Sequence, residues 1–266
     1  MIHPTAVIHP RATVPSSTVI GPYAVIDEHV RLGEHCVVGP HAYLTGHTTI
    51  GARNRFYFGC VIGEAPQDQK YSNAPSRLRI GDDNMFREHC TVHRSNSEAT
   101  ETLVGSKCLI MAGAHVGHDS ALGDYVVLVN GALLAGHVTI GSQALISGNC
   151  VIHQFVRVGR LAMMQGGSAI SKDLPPYCVS RDANRLSGLN SVGLRRAGLS
   201  SAERLELRRL YHQLFRRRVE LLRDAIEQAR QQFSSEHARL LLDFVATAKR
   251  GLCADHSKTA VTGEEE

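Results

Sequence analysis

An apolar side chain recurs every six residues along the first three-fifths of the chain. A helix needs apolar spacing near 3.6 and a half-exposed strand needs spacing near 2, so a strict interval of six matches neither over a long segment. The positions are Ile2, Ile8, Val14, Ile20, Ile26, Leu32, Val38, Leu44, Ile50, Phe56, Ile62, Ile80, Phe86, Val92, Val104, Ile110, Val116, Leu122, Leu128, Leu134, Ile140, Ile146, Ile152, Val158, Met164 and Ile170. This interval predicts a repeat protein in which each repeat buries its apolar residue against its neighbours.

A second inward position, four residues after the apolar one, is small or short in most repeats, as at Ala6, Cys36, Ala114 and Cys150. Each hexad therefore predicts one short strand and a tight turn, and three hexads complete an 18-residue triangular coil. This pattern resembles that of the hexapeptide-repeat proteins, whose fold is an all-β left-handed parallel β-helix. The left-handedness is implied by that resemblance.

The interval of six fails at residues 63–79 and 94–103, where polar residues and turn formers predict inserted loops. It ends after Ile170. We predict a β-helix over residues 1–174, a linker over 175–199, a small α-helical C-terminal domain over 200–252 and a disordered tail over 253–266. Ser200 with Glu203 three residues later has the pattern of a helix-capping box, which places the first helix of that domain.

Composition narrows the class of protein. The 266 residues carry a formal net charge of +4, and no apolar run is long enough to span a membrane, so we expect a cytoplasmic location with no integral membrane segment. Five of the seven cysteines fall on the small inward position of a hexad. They are expected to fill the core rather than form disulfides or hold a metal.

Residues 18 apart lie in one column on the prism. His118, Gly136 and Gln154 form such a column, and Asp119, His137 and Phe155 form the column beside it. His115 lies on the same coil as His118, and His153 precedes Gln154. The period of 18 therefore brings histidines, a carboxylate, a glycine and an amide together on three successive coils.

This cluster suits acyl transfer. A neutral histidine accepts a proton from an attacking hydroxyl, which contributes about 10²–10⁴-fold to the rate. Asp119 would fix the imidazole tautomer, and the N–H of Gly136 could face a developing oxyanion. A lone histidine at a turn is more often a surface residue without function, so the prediction depends on the cluster rather than on any one member.

Several motifs resemble the UDP-N-acetylglucosamine O-acyltransferase family of lipid A biosynthesis, and the likeness extends from Met1 to about Arg250. They are His115-Val-Gly-His118-Asp119, Leu134-Ala-Gly-His137-Val138, Ile152-His-Gln-Phe155, Gln67-Asp-Gln-Lys70-Tyr71, Val92-His93-Arg94, Asp173-Leu-Pro-Pro-Tyr177 and the segment from Asn190 to Arg196. Hexad repeats occur in many transferases, whereas the Gln-Asp-x-Lys loop, the His-x-x-His-Asp box and His-Gln-Phe in this order are specific to the family.

The resemblance implies a soluble homotrimer with active sites between neighbouring prisms, which transfers a 3-hydroxyacyl chain from acyl carrier protein to the 3-hydroxyl of UDP-N-acetylglucosamine without a cofactor or metal. It implies His118 as general base, Asp119 as its partner and Gly136 as oxyanion donor. The implied substrate-binding residues are Gln67, Asp68, Lys70, His93, His115, His137, His153 and Gln154, with Asn190 and Arg196 at the nucleotide end. Gly166 matches the position that gauges acyl length, and a glycine there indicates a longer chain.

The chain departs from the family pattern on the nucleotide side. Val192 and Ala197 stand where the family commonly has glutamate and arginine, and Ser95-Asn96 follows Arg94 where the family usually has Gly-Thr. A related acceptor, such as a 3-amino analogue of the sugar, is therefore an alternative substrate.

Arginines are concentrated in the C-terminal part of the chain, at Arg195, Arg196, Arg204, Arg208, Arg209, Arg216, Arg217 and Arg218. A solvated helix face is the ordinary explanation. Because acyl carrier proteins are acidic, a steering patch for that donor is the more specific one. No aromatic interleaving or nucleic-acid motif accompanies these arginines, so no nucleic-acid partner is expected.

Three other classes of function remain as alternatives. A zinc carbonic anhydrase of this fold would need three imidazoles on one ion, and His89, His93, His115 and His118 are the candidates. An N-acyltransferase of the same pathway shares the coils but usually carries an additional N-terminal domain, whereas the repeats here begin at Ile2. A non-catalytic trimeric scaffold would need neither the Gln67–Lys70 loop nor the histidine column.

Overall fold

The computed structural model describes residues 1–216 and 221–255, and the chain forms a left-handed parallel β-helix followed by a small helical domain. Strands are numbered β1 to β27 in chain order and lie in three sheets, one on each side of a triangular prism. Except for β25 and β26, neighbouring strands pair in parallel, and in the uninterrupted part they are 18 residues apart, as His115 with Leu133 and Leu133 with Val151. The predicted 18-residue coil is confirmed.

Sheet 1 contains nine strands: β1 Val7–Ile8, β3 Val25–Ile26, β6 Tyr43–Leu44, β9 Val61–Glu64, β12 Thr91–His93, β15 His115–Val116, β18 Leu133–Leu134, β21 Val151–Ile152 and β24 Ala169–Ile170. Sheet 2 contains seven: β4 Arg31–Leu32, β7 His47–Ile50, β10 Arg77–Ile80, β13 Glu101–Val104, β16 Ala121–Leu122, β19 Thr139–Ile140 and β22 Arg157–Val158. Sheet 3 contains eleven: β2 Val19–Ile20, β5 Val37–Val38, β8 Arg55–Phe56, β11 Met85–Phe86, β14 Leu109–Ile110, β17 Val127–Leu128, β20 Leu145–Ile146, β23 Met163–Met164, β25 Cys178–Arg181, β26 Arg185–Leu189 and β27 Ala254–Asp255.

The core runs along the axis of the prism and is built from the two inward positions of each hexad. The apolar residue of nearly every repeat is buried, and Phe56 and Phe86 stack face to face with ring centroids 5.0 Å apart. Cys36, Cys60, Cys90, Cys108 and Cys150 occupy the small position, and all five are buried free thiols, as predicted. Burial raises the pKa of the Cys60 thiol to about 12, so it packs as a neutral apolar group.

The corners between sheets are tight because one residue in many of them adopts the left-handed backbone conformation. That residue comes three positions after the apolar one. Examples are Asp119, His137 and Phe155, with φ of 58°, 59° and 65°. Such a turn directs side chains away from the prism. The corner that joins sheet 1 to sheet 2 therefore presents the two columns of polar residues to the outside.

Both predicted loops leave the prism on this same side, but they are shorter than the interval of six suggests. The first connects Glu64 to Arg77, and the second connects His93 to Glu101. The difference arises because β10 and β13 pair over four residues, from Arg77 with Glu101 to Ile80 with Val104. Backbone pairing in these strands therefore begins before the next apolar position of the hexad.

Residues 175–199 are not a simple linker, and this corrects the sequence prediction. Strand β25 continues sheet 3 by pairing with β23, and β26 folds back on β25 as an antiparallel hairpin. Helix α1, Ser191–Arg196, follows. The β-helix therefore extends past residue 174, its predicted end.

The helical domain contains α2 Ser201–Tyr211, a π-helical turn His212–Arg216, α3 Leu222–Gln232 and α4 Glu236–Ala246. The predicted capping box is present, since Ser200 and Glu203 bond reciprocally at the start of α2. Leu207, Leu210 and Leu214 pack in a second core against Leu161 and Tyr177 of the β-helix.

The end of the described chain is bound to the rest of the fold. Cys253 is buried and Ala254–Asp255 pairs with β26, so the predicted tail does not begin at residue 253. Residues 256–266 of that tail, like Arg217 and Arg218, lie outside the described residues. Within the described ranges, each helix is too short or too polar to cross a membrane.

Candidate active site

His118 and Asp119 lie at the corner that joins β15 to β16, on the outside of the prism. Nδ1 of His118 is 2.8 Å from Oδ2 of Asp119. Because an ionised carboxylate only accepts hydrogen bonds, the imidazole donates from Nδ1, and Nε2 is then the basic nitrogen. The side chains are 14 % and 5 % exposed, so the pair is largely sheltered from water but His118 remains reachable.

Asp119 is held by several donors besides His118. The hydroxyls of Ser95 and Thr100 each lie 2.6 Å from Oδ1, and the backbone N–H of Asn96 donates to Oδ2 over 3.0 Å. Burial by itself opposes the charged form. The hydrogen bonds from His118, Ser95, Thr100 and Asn96 outweigh it and hold the pKa of Asp119 well below its usual range, so the carboxylate stays charged at any physiological pH.

The next coils complete the two columns as the period of 18 predicts. Gly136 lies beside the His118 ring, with no side chain between them. His137 stacks on Phe155 with ring centroids 4.5 Å apart, and its Nε2 is 3.8 Å from Oδ2 of Asp119. Gln154 follows on the third coil and is exposed.

The N–H of Gly136 is available for a ligand. Its neighbours Ala135 and His137 donate to other coils over 3.0 and 2.8 Å, whereas the N–H of Gly136 has no such partner in the described part of the chain. An unpaired donor beside the basic nitrogen of His118 is the arrangement that an oxyanion requires.

His93 and His115 form a second imidazole pair on the sheet 1 face, edge to face with ring centroids 4.9 Å apart. Nδ1 of His115 lies 2.7 Å from the Thr91 hydroxyl. Burial, followed by the nearby imidazoles and Arg94, lowers the pKa of His93 to about 4, and burial also lowers the pKa of His115. Both rings are therefore neutral near pH 7 and can give or accept hydrogen bonds.

The first loop brings Asp68 to the same corner. Its Oδ2 accepts a hydrogen bond from the side-chain amide of Asn96 over 2.8 Å, and its Oδ1 accepts from the backbone of Lys70 over 2.9 Å. Gln67 and Lys70 are exposed. His153 is also exposed, with Nδ1 3.4 Å from the Arg250 guanidinium.

The remaining predicted residues lie at other corners of the prism. Asn190 caps helix α1 by accepting from the N–H of Gly193, and its amide donates to the carbonyl of Leu161 at the corner between sheets 2 and 3. Arg196 is exposed at the end of α1. Gly166 lies at the corner between sheets 3 and 1. One copy of the chain therefore does not bring Asn190, Arg196 or Gly166 to the His118 corner.

Sequence reasoning missed Ser95, Asn96 and Thr100 as members of the site. The sequence predicts the second loop as an insertion in which Ser95-Asn96 departs from the family pattern, and an inserted loop has no fixed register from which its contacts follow. The one sequence feature that could have identified them is their position in the chain, since they follow closely after the predicted site residue His93.

The structure does not assemble the four histidines considered for zinc. His89 packs against Phe58 at the corner after β11, which is not the corner of His118. Among residues 1–216 and 221–255, the set whose potential ligand atoms do approach one another is His118, Asp119 and His137, within 4.8 Å. In it the 2.8 Å contact of Nδ1 with Oδ2 has the geometry of a hydrogen bond.

Two family models match the chain. Residues 173–253 match the model described as Udp N-acetylglucosamine O-acyltransferase, Domain 2, and residues 11–46 match the bacterial transferase hexapeptide repeat. The helical domain and the coils are thus recognised separately.

Curated relatives and solved structures cover nearly the whole chain. An acyl-[acyl-carrier-protein]--UDP-N-acetylglucosamine O-acyltransferase of Syntrophobacter fumaroxidans is 43 % identical over 94 % of this chain and 98 % of its own, and one of Halorhodospira halophila is 44 % identical with the same coverage. The crystal structure of Francisella novicida UDP-N-acetylglucosamine acyltransferase superposes with a TM-score of 0.92 at 32 % identity and covers 100 % of both chains. A UDP-N-acetylglucosamine acyltransferase from Campylobacter jejuni matches with a TM-score of 0.89 at 32 % identity, over 96 % of this chain and 99 % of the other.

Proposed function

The chain belongs to the UDP-N-acetylglucosamine O-acyltransferase family, and from this membership we propose that it transfers a 3-hydroxyacyl chain from acyl carrier protein to the 3-hydroxyl of UDP-N-acetylglucosamine, the first step of lipid A biosynthesis. The observation that carries the proposal is the sheltered His118–Asp119 pair beside the unpaired N–H of Gly136.

In the proposed mechanism, Nε2 of His118 takes the proton of the sugar hydroxyl as its oxygen attacks the thioester carbonyl. The carbonyl oxygen becomes an oxyanion that accepts from the N–H of Gly136. Asp119 stabilises the imidazolium that forms. When the C–S bond breaks, His118 returns the proton to the leaving thiolate, so the imidazole is neutral again at the end of the cycle.

The residues around the pair suit an acceptor with a sugar and a diphosphate. We assign Asp68 to sugar hydroxyls and exposed Lys70 to the phosphates, with Gln67 beside them on the first loop. Polar contacts with the substrates are assigned to His93, His115, His137, His153 and Gln154, which line the same side of the prism. On the nucleotide side, Arg196 is exposed and Asn190 fixes the helix that carries it.

A homotrimer would complete this site. His118 lies at one corner, Asn190 at a second and Gly166 at a third, and these corners cannot meet within one prism. Three copies packed side by side place different corners of neighbouring prisms along a shared cleft. Gly166 would then gauge the acyl chain next to the partner's catalytic pair.

The donor would dock on the helical domain. Arg208 and Arg209 are exposed there, and Arg195 and Arg196 are exposed on the preceding helix α1, whereas Arg216 is paired with Asp255. These exposed arginines would attract an acidic carrier protein and increase its rate of association.

The experiment that tests the function uses purified protein, UDP-N-acetylglucosamine and a ladder of 3-hydroxyacyl carrier proteins, with the products identified by mass spectrometry. A sugar nucleotide heavier by one 3-hydroxyacyl group is the expected product. A 3-amino analogue of the acceptor in a parallel reaction distinguishes ester from amide formation. If the protein transferred an acyl chain to neither of the two acceptors, the proposal would be rejected.

A further inference from the structure

The second loop holds the carboxylate that the proposed mechanism depends on. Ser95 is fully buried, and its hydroxyl and that of Thr100 both lie 2.6 Å from Oδ1 of Asp119. The backbone N–H of Asn96 reaches Oδ2. Ser95, Asn96 and Thr100, which we call the Asp119 brace, therefore surround a group that His118 contacts from the other side.

The chemistry of the donors fixes the orientation of the carboxylate. An ionised carboxylate has no proton to give, so the hydroxyls of Ser95 and Thr100 must donate to it. With Oδ1 held by two hydroxyls, the plane of the carboxylate cannot turn freely, and Oδ2 stays directed at Nδ1 of His118. Hydrogen bonds to charged groups are about twice as strong as neutral ones, so each donor contributes to this orientation.

Asn96 extends the brace to the first loop. Its backbone N–H bonds Asp119 while its side-chain amide donates to Oδ2 of Asp68 over 2.8 Å. One residue thus connects a carboxylate of the catalytic pair with a carboxylate assigned to the acceptor sugar. Its amide oxygen is buried without a hydrogen-bond partner among the described residues, so the amide is held by Asp68 alone.

We propose that Ser95 and Thr100 are positioning residues that orient Asp119 against His118, and that Asn96 couples the acceptor-binding loop to this pair. The inference rests on the proposed function. The second loop would therefore act in the transfer reaction through two contacts, one with the Asp119 carboxylate and one with Asp68.

Thr100 gives the cleanest test, because it is exposed and can be changed without disturbing the core. Thr100→Val keeps the shape but removes the hydroxyl, and Thr100→Ser restores it. We expect Thr100→Val to lower kcat about tenfold with KM little changed, because the carboxylate that stabilises the imidazolium loses a charge-assisted hydrogen bond. Thr100→Ser should recover most of the rate. Ser97→Ala, in the same loop but without a contact to Asp119, is the matched control and should behave as the wild type.

A pH profile separates positioning from a general loss of structure. Without the Thr100 hydroxyl, the negative charge of Asp119 is less neutralised by hydrogen bonds and attracts the proton on the His118 imidazolium more strongly. The acidic limb of the kcat/KM profile should therefore move to higher pH. Among the described residues, the ionisable groups beside this pair are His137 near Asp119, and His93 and His115 near His118, and all of them remain in the variant. A merely structural role would lower the rate at every pH and leave the limb in place.

Asn96→Ala tests the coupling, since it retains the backbone N–H to Asp119 and removes only the link to Asp68. We expect KM for the sugar nucleotide to rise about tenfold, with kcat changed by less than about twofold. A fall in kcat alone would reject the coupling, and a wild-type rate in Thr100→Val would reject the positioning role. A wild-type protein inactive on both acceptors would reject the proposed function instead, and with it the reaction that the brace is inferred to serve.

Discussion

A Cβ atom added at Gly136 would lie 2.6 Å from Nε2 of His118 and 2.7 Å from its Cε1. Any side chain at residue 136 therefore occupies the space in front of the basic nitrogen, where the attacking hydroxyl has to arrive. The backbone of Gly136 does not need a positive φ, so the glycine is required by this close approach and not by the turn itself.

For Gly136→Ala we expect the transfer rate to fall by about two orders of magnitude or more, because the methyl group displaces either the substrate or the imidazole. The melting temperature should change little, since the site is at the surface of the prism. Steady-state kinetics and thermal unfolding on the same preparation provide the measurement. A variant with normal kcat/KM would show that the reacting atoms do not lie between these two residues.

Replacing His118 by alanine should reduce transfer by two or more orders of magnitude while the assembly stays intact, because the proton acceptor is lost. Size-exclusion chromatography with light scattering checks the assembly. The double variant with Gly136→Ala should be no slower than His118→Ala alone, since both changes act at the same nitrogen. Additive losses would mean that Gly136 acts independently of His118.

The coils and the catalytic columns are the part that the sequence predicts well. Both depend on one regular interval, and from Val104 to Ile170 no residue is inserted, so the positions of His118, Gly136 and Gln154 follow by counting. Five cysteines could be assigned to the core on the same basis. The periodic core fixes these residues because a shift by one position would expose its apolar side chains.

The segments of the chain that lack the six-residue apolar interval could not be predicted in the same way. The hairpin of β25 and β26 forms because Val179 and Ser180 continue the backbone pairing of sheet 3. The six-residue apolar pattern does not extend to these strands and therefore does not predict them. The brace residue Asn96 joins two carboxylates that are 51 residues apart in sequence, at 68 and 119, and this depends on the path of two loops. Contacts of that kind follow from the packed structure alone.

Gly166 offers a test of the acyl-length assignment. The atom nearest to an added Cβ is the carbonyl oxygen of Gly148 at 3.5 Å, an ordinary contact, so a side chain can be introduced without strain. Because Gly166 is exposed, a methionine there would extend into the proposed groove. We expect Gly166→Met to prefer a shorter 3-hydroxyacyl chain, measured by competition between donors of different length. An unchanged preference would place the end of the acyl chain elsewhere.

His93 should make folding stability depend on pH. Its folded-state pKa is lowered to about 4, first by burial and then by His115, His118 and Arg94, whereas an unfolded histidine titrates near 6.5. Between these values the unfolded chain binds the proton and the folded chain does not. The contribution of His93 is therefore fully present above about pH 6.5 and is lost as the pH falls toward 4, at up to about 1.4 kcal/mol per pH unit.

His93→Gln removes this titration while keeping a polar side chain of similar reach. We expect the slope of unfolding free energy against pH, from urea unfolding between about pH 4.5 and 6.5, to become shallower by as much as one proton. Val92→Ala is the matched control, since it creates a cavity in the same strand and should lower stability equally at every pH. His115, whose pKa is also lowered, would account for the slope that remains. If His93→Gln kept the wild-type slope while Val92→Ala behaved as expected, His93 would take up a proton as readily in the folded protein as in the unfolded chain, and the lowering of its pKa by burial would be wrong.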